Sequence, residues 1–133
     1  QSLKWITYRS EKKPLKEIIE LNDVIEIIKN DKSNKALITD YQFISVILGI
    51  NDNSPSKVWY NHHVYPTENH RLYEFYKKFF IEALRKEKVE KIFVIKPLAG
   101  DQNIVEKIFK NKCYSKKIKT DILDVYNIDD CLN

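Results

Sequence analysis

All three histidines of the chain fall within one short run, Lys57 to His70, KVWYNHHVYPTENH. The same run holds one of the two tryptophans and two tyrosines, so the residue types that most readily do chemistry are concentrated there. Metal binding is the first chemistry to weigh. Adjacent His62 and His63 point to opposite faces of an extended segment and cannot easily share an ion. His70 falls in the first turn of a long amphipathic pattern. One histidine with Asp40 and water would make only a weak divalent site, whereas zinc takes three or four ligands in recognisable spacing. The plainer reading is rings that hydrogen-bond to loop backbone, and no metal is expected. Ser33, Ser54, Ser56 and Ser115 lie in loops without a nucleophile-elbow context, so no catalytic residue is assigned. The only glycines, Gly49 and Gly100, are 51 positions apart. Dinucleotide and P-loop sites need clustered glycines so that backbone N–H groups can approach phosphate. No cofactor is expected.

The elements that must position these residues follow from periodicity. Leu3 to Tyr8 reads as a strand or lead-in. Pro14 opens a helix that runs to Asn30, with Ile18, Leu21, Val24, Ile25 and Ile28 on one stripe. Lys35 to Asp40 reads as a buried strand, and Tyr41 to Leu48 as a short helix that Gly49 ends. Val58 to Tyr60 is the next strand, and Pro66 stops any pairing beyond it. Thr67 suits a helix N-cap, ahead of Leu72, Phe75, Tyr76, Phe79, Phe80, Ala83 and Leu84 at helical spacing. That helix is expected to turn its aromatic face into the core. Lys91 to Lys96 is the best strand, Asn103 to Asn111 a shorter helix, and Ile118 to Tyr126 a last strand. Strict alternation of this kind predicts a single α/β domain over residues 1–133. Its expected form is a three-layer α-β-α sandwich with a mostly parallel sheet of about five strands, Rossmann-like without a glycine phosphate loop.

In an open parallel sheet, ligands sit beyond the carboxyl ends of the strands. Those ends supply Asp40 and Tyr41, His62 and His63, and Lys96 with Asp101 just after it. This set is the candidate ligand site. Strands also end in polar residues simply because they end at the surface.

The 133 residues are enough for a sizeable core, and an apolar share of 43% is too high for disorder. The 23 basic and 19 acidic side chains give a net charge of +4, without the dense basic stripe of a duplex-binding domain. No nucleic-acid partner is expected. No stretch is long and apolar enough to span a bilayer, and no signal peptide is present. The chain has no methionine, so it is expected to be cut from, or processed out of, a longer protein. Cys113 and Cys131 are neither a CxxC pair nor near a histidine, which argues against zinc. Free buried thiols in a reducing compartment and one disulfide outside it both remain open.

The segments ALITDYQF, VWYNHHVYP and YEFYKKFFIEALRKEKVEKIFVIKP, in this order of elements, resemble the soluble C-terminal domain of bacterial multi-pass membrane glycosyltransferases. These are the dolichyl-phosphate-mannose and polyprenyl-phosphate-sugar transferase-like proteins, and the resemblance covers nearly the whole chain. It implies membrane helices upstream of Gln1 and a membrane-anchored, extracytoplasmic (periplasmic) domain. In that compartment a Cys113–Cys131 disulfide can persist. It also implies that catalytic acids lie outside this domain, beside the membrane helices. The implied partner is the membrane-embedded part of the same chain, and the implied role is accessory: recognition of a glycan acceptor or a lipid-linked sugar donor. The rival is a free-standing cytoplasmic α/β protein, either a small binding module or a metal-dependent hydrolase or nuclease. That enzyme would draw on Asp40, Asp101, Asp121 and Asp124. Asp121 and Asp124, three apart in a strand, would face opposite ways, which weakens it.

Overall fold

The structure, a computed structural model, describes residues 14–57, 59, 65–98 and 100–133. Its elements are α1 (Pro14–Asn30), β1 (Lys35–Thr39), α2 (Phe43–Leu48), α3 (Tyr73–Lys86), β2 (Lys91–Ile95), α4 (Ile104–Ile108), β3 (Ser115–Thr120), β4 (Leu123–Asn127) and α5 (Asp129–Leu132). Gly49 ends α2 in the left-handed region at φ +60°, and its N–H bonds back to Val46 O. The backbone there takes a conformation that strains any residue with a Cβ.

Among the described residues the sheet has four strands in the order β1-β2-β4-β3. β1 and β2 run parallel, with Leu37 opposite Phe93. β4 is antiparallel to both β2 and β3. The mostly parallel, five-stranded, Rossmann-like sheet is therefore not what this sequence forms. The cause lies in Ile118 to Tyr126, which folds as a hairpin and not as one strand. Thr120 Oγ1 accepts the N–H of Ile122 at 3.3 Å and helps turn the chain. A hairpin makes its two strands antiparallel neighbours, whereas a parallel partner needs a long crossover. The hairpin also explains the lysines of SKKIKT: β3 is an exposed edge, and lysine discourages further strand pairing there. The strand read at Leu3 to Tyr8 lies outside the described residues. So do Val58 and Tyr60 of the strand read around Trp59.

Side chains alternate across the sheet. Ala36, Ile38, Ile92, Val94 and Tyr126 join one core cluster with Phe80 and Leu84 of α3 and Ile104, Val105 and Ile108 of α4. Leu37, Phe93, Ile95, Leu123 and Val125 join a second with Leu21, Val24 and Ile28 of α1 and Ile44 of α2. Helices thus lie on both faces. α3 departs from the expected orientation. Tyr73, Phe80 and Leu84 face inward, while Phe75 is 74% and Phe79 49% exposed. The apolar arc of this helix is wider than the sector the sheet can cover. Thr67 is not its cap either; the helix begins at Tyr73.

Two ties hold outlying parts to this core. Cys113 and Cys131 form a disulfide with Cα atoms 5.1 Å apart, joining the approach to β3 to α5. Asp31, just past α1, accepts a hydrogen bond from Lys91 Nζ at 2.6 Å and others from the Ser33 hydroxyl and N–H. The ammonium of buried Lys35 bonds to the Asp31 carbonyl at 2.7 Å. Burial alone would raise the Asp31 carboxyl, but the hydrogen bonds from Lys91 and Ser33 outweigh it and hold it at about 2.

Two outcomes are expected. Replacing Cys113 and Cys131 with serine opens a loop spanning 18 residues. By loop entropy, urea denaturation should then show a loss of about 3 kcal/mol. Thiol titration of the denatured, unreduced wild type should find no free cysteine. The Asp31 carboxyl is more acidic folded than unfolded, so its contribution is full above its unfolded value near 3.8 and is lost as pH falls toward 2. That contribution is about 2 kcal/mol by linkage. Asp31→Asn should lower stability at neutral pH and flatten the acid limb of the stability curve; an unchanged limb would refute the assignment.

Candidate functional site

The parallel pair brings the carboxyl ends of β1 and β2 side by side, with Thr39 opposite Ile95. Asp40 and Lys96 leave the sheet at this edge. β4 enters at the same edge, since Leu123 pairs with Ile95 and the Lys96 N–H bonds to Ile122 O at 2.7 Å. A row of charges results. Asp124, 5% exposed, has its Oδ2 3.4 Å from Lys96 Nζ and 3.6 Å from Lys116 Nζ. Lys116 also bonds Glu106 at 2.9 Å, and Glu106 accepts the Tyr126 hydroxyl at 3.0 Å. The hydrogen bond from Lys116 pulls the Glu106 carboxyl down, and its counterpart pushes Lys116 up. Burial pushes the Tyr126 phenol up to about 12. The row alternates in sign and ties α4 and the β3–β4 hairpin to the sheet edge.

The residues read from the sequence are sorted differently by the fold. Asp40 and Lys96 share the edge. Tyr41 turns to the other side of the sheet, where its hydroxyl donates to Glu17 of α1 at 2.7 Å. Asp101 stands in the loop before α4, paired with Lys107. His62 and His63 lie outside the described residues. Among the described residues, no three His, Cys, Asp or Glu side chains are grouped to hold a metal.

Asp101 and Lys107 line a cavity of about 490 Å³ together with Tyr65, Tyr73 and Tyr76. Its outer wall runs from Tyr65 to Asn69, the second half of the histidine-bearing run. Tyr73 and Tyr76, three apart on α3, lie on one helix face. Tyr65 stacks on Tyr76, with ring centres 5.8 Å apart and planes at 20°. The Tyr65 hydroxyl accepts the Asp101 N–H at 3.0 Å, and Asp101 Oδ1 accepts the Asn103 N–H at 2.9 Å. The Tyr76 hydroxyl meets Ser56 Oγ at 3.1 Å. Tyr73 is only 8% exposed, and its hydroxyl has no hydrogen-bond partner among the described residues. Burial raises the phenols of Tyr65, Tyr73 and Tyr76, so all three stay neutral donors at physiological pH.

A wider cleft of about 970 Å³ lies between the 51–55 loop and α3. Its half-buried acid, Asp52, is already spent on the N–H groups of Leu37 and Ser54. The tyrosine cavity instead pairs aromatic faces with an unused phenol and a carboxylate–ammonium pair. Such a lining is suited to holding a polar ring compound.

Sequence reasoning passed over Tyr65, Tyr73, Tyr76 and Lys107. The available signal was tyrosine where phenylalanine would have filled a core, because a buried phenol needs a partner.

No family model, curated protein or solved structure matches the chain.

A contrasting pair of substitutions follows. Tyr65→Phe orphans the Asp101 N–H and should cost about 1 kcal/mol. Tyr73→Phe removes a buried hydroxyl that has no partner and should be neutral or stabilising by up to about 1 kcal/mol. Thermal melts of both variants check this; destabilisation by Tyr73→Phe would show that its hydroxyl is satisfied within the protein.

Proposed function

We propose that this chain is a non-catalytic, extracytoplasmic accessory domain of a membrane glycosyltransferase-like protein. In this reading its tyrosine-walled cavity receives the sugar of a glycan acceptor or of a lipid-linked donor. The observation that carries the reading is the Tyr73 phenol, buried without a partner in the wall of a cavity lined by two further tyrosines and an Asp101–Lys107 pair. A sugar ring has apolar C–H faces that pack on aromatic rings and hydroxyls that both donate and accept. The cavity offers partners for each: phenol faces, a carboxylate acceptor and an ammonium donor, with the Tyr73 phenol buried in its wall. At about 490 Å³ it falls within the usual range of small-molecule sites. The Cys113–Cys131 disulfide supports an oxidising compartment. The membrane context comes from the resemblance of the three sequence segments alone, and in it the membrane-embedded part of the same chain is the partner.

The test is a titration of the isotope-labelled chain with neutral hexoses, N-acetylhexosamines and their phosphates, followed by amide resonances. Saturable shifts at Tyr65, Tyr73, Tyr76 and Asp101 are expected. Tyr73→Phe should weaken binding roughly fivefold to tenfold, the worth of one hydrogen bond. Shifts centred elsewhere, or none that saturate, would remove the cavity from the argument. The membrane context has its own check. An antibody to this domain should detect a membrane-fraction band well above 15.9 kDa in source cells. A soluble band near that mass would end that part of the proposal.

A further inference from the structure

The wide apolar arc of α3 leaves a stripe exposed among the described residues. Leu72, just before the helix, is 50% exposed, and Phe75 and Phe79 are 74% and 49% exposed. At i, i+3 and i+7 they share one side of the helix over about 10 Å. Lys78 and Lys86 fall on the same outward arc and Arg71 stands in the turn just before the helix; all three are exposed and make no ion pair among the described residues. The exposed acids of this side, Glu74 and Glu82, are outnumbered by Arg71, Lys78, Arg85 and Lys86, and Glu82 is paired with Arg85.

We propose that this outward face of α3 docks on the surface of an anionic lipid bilayer. Charge complementarity selects the occupant. Unpaired cations flanking exposed aromatic rings match a surface that is negative at the headgroups and apolar just beneath them. Phe75 is 74% exposed, while Phe79 and Lys86 also line the cleft between the 51–55 loop and α3; rings that stand up from a helix can enter a lipid interface. Further exposed apolar side chains, among them Ile18 of α1 and Val46 and Ile47 of α2, lie on other elements, outside this arc. The docking face and the cavity use the same helix, so a docked α3 holds Tyr73 and Tyr76 close to the headgroup layer. The lipid proposal does not rest on the sugar reading, because vesicles without any glycolipid test it.

The experiment is cosedimentation of the full chain with vesicles of phosphatidylcholine mixed with phosphatidylglycerol, and of phosphatidylcholine alone, at low and physiological salt. Retention on the anionic vesicles only, weakened by salt, is expected. Phe75→Ser with Phe79→Ser should reduce retention roughly tenfold, as should Lys78→Glu with Lys86→Glu. Val46→Ser with Ile47→Ser should leave it unchanged. Failure to bind anionic vesicles, equal binding to neutral ones, or indifference to the two phenylalanine changes would overturn the proposal. Retention of a single-stranded oligonucleotide that is lost with the phenylalanines would reassign the face to nucleic acid and overturn it equally.

Discussion

Everything in this fold depends on how β2 is paired. It lies parallel to β1 on one side and antiparallel to β4 on the other, and both core clusters pass through its four buried residues, Ile92 to Ile95. The parallel half places Asp40 and Lys96 at one sheet edge. The antiparallel half brings the start of β4 to that same edge, which sets Asp124 beside Lys96. An all-parallel sheet would have left strand carboxyl ends alone there, and Lys96 would have had no buried acid to meet. The mixed pairing converts a row of surface polar groups into a largely paired framework.

That framework constrains where binding can occur. Lys96, Lys116, Glu106 and Asp124 are engaged with one another through Asp124 Oδ2 and Glu106 Oε1 and hold α4 against the sheet, leaving buried Asp124 Oδ1 without a partner among the described residues. The groups left available lie one step away, where α3 and α4 part around the three tyrosines. Two of those phenols are tied, to the Asp101 N–H and to Ser56, and one is not. A buried hydroxyl without a partner is unfavourable in the empty protein. Keeping one in a cavity wall is the kind of local conflict between stability and use that marks a binding site in an otherwise consistent fold.

The helix α3 serves three surfaces at once. Phe80 and Leu84 fill the core, Tyr73 and Tyr76 wall the cavity, and Phe75 and Phe79 face outward. Its amphipathic pattern is plain from spacing, but a stripe this broad has no single inward direction. Which of its aromatic residues become core, site or surface follows from the width of sheet available to cover them.

By itself the sequence determined the elements whose local signals are strong. Helical periodicity marked α1 from Pro14 to Asn30, Gly49 marked the end of α2, and four unbroken apolar residues marked β2 as central. It also located the run whose second half, Tyr65 to Asn69, forms a cavity wall, and the polar ends at Asp40, Lys96 and Asp101. These are local properties of backbone preference and side-chain type. Tertiary structure alone decided the rest. The turn at Thr120 to Ile122 split one apparent strand into a hairpin, and strand direction, unlike strand existence, depends on the partner that a hydrogen-bond ladder finds. The same pairing sent Tyr41 to α1, gave Lys96 to Asp124, and left Tyr73 unpartnered beside Asp101 and Lys107. The Tyr41–Glu17 and Lys96–Asp124 contacts span 24 and 28 positions in the chain, and no local pattern encodes which distant residue will fill a given space.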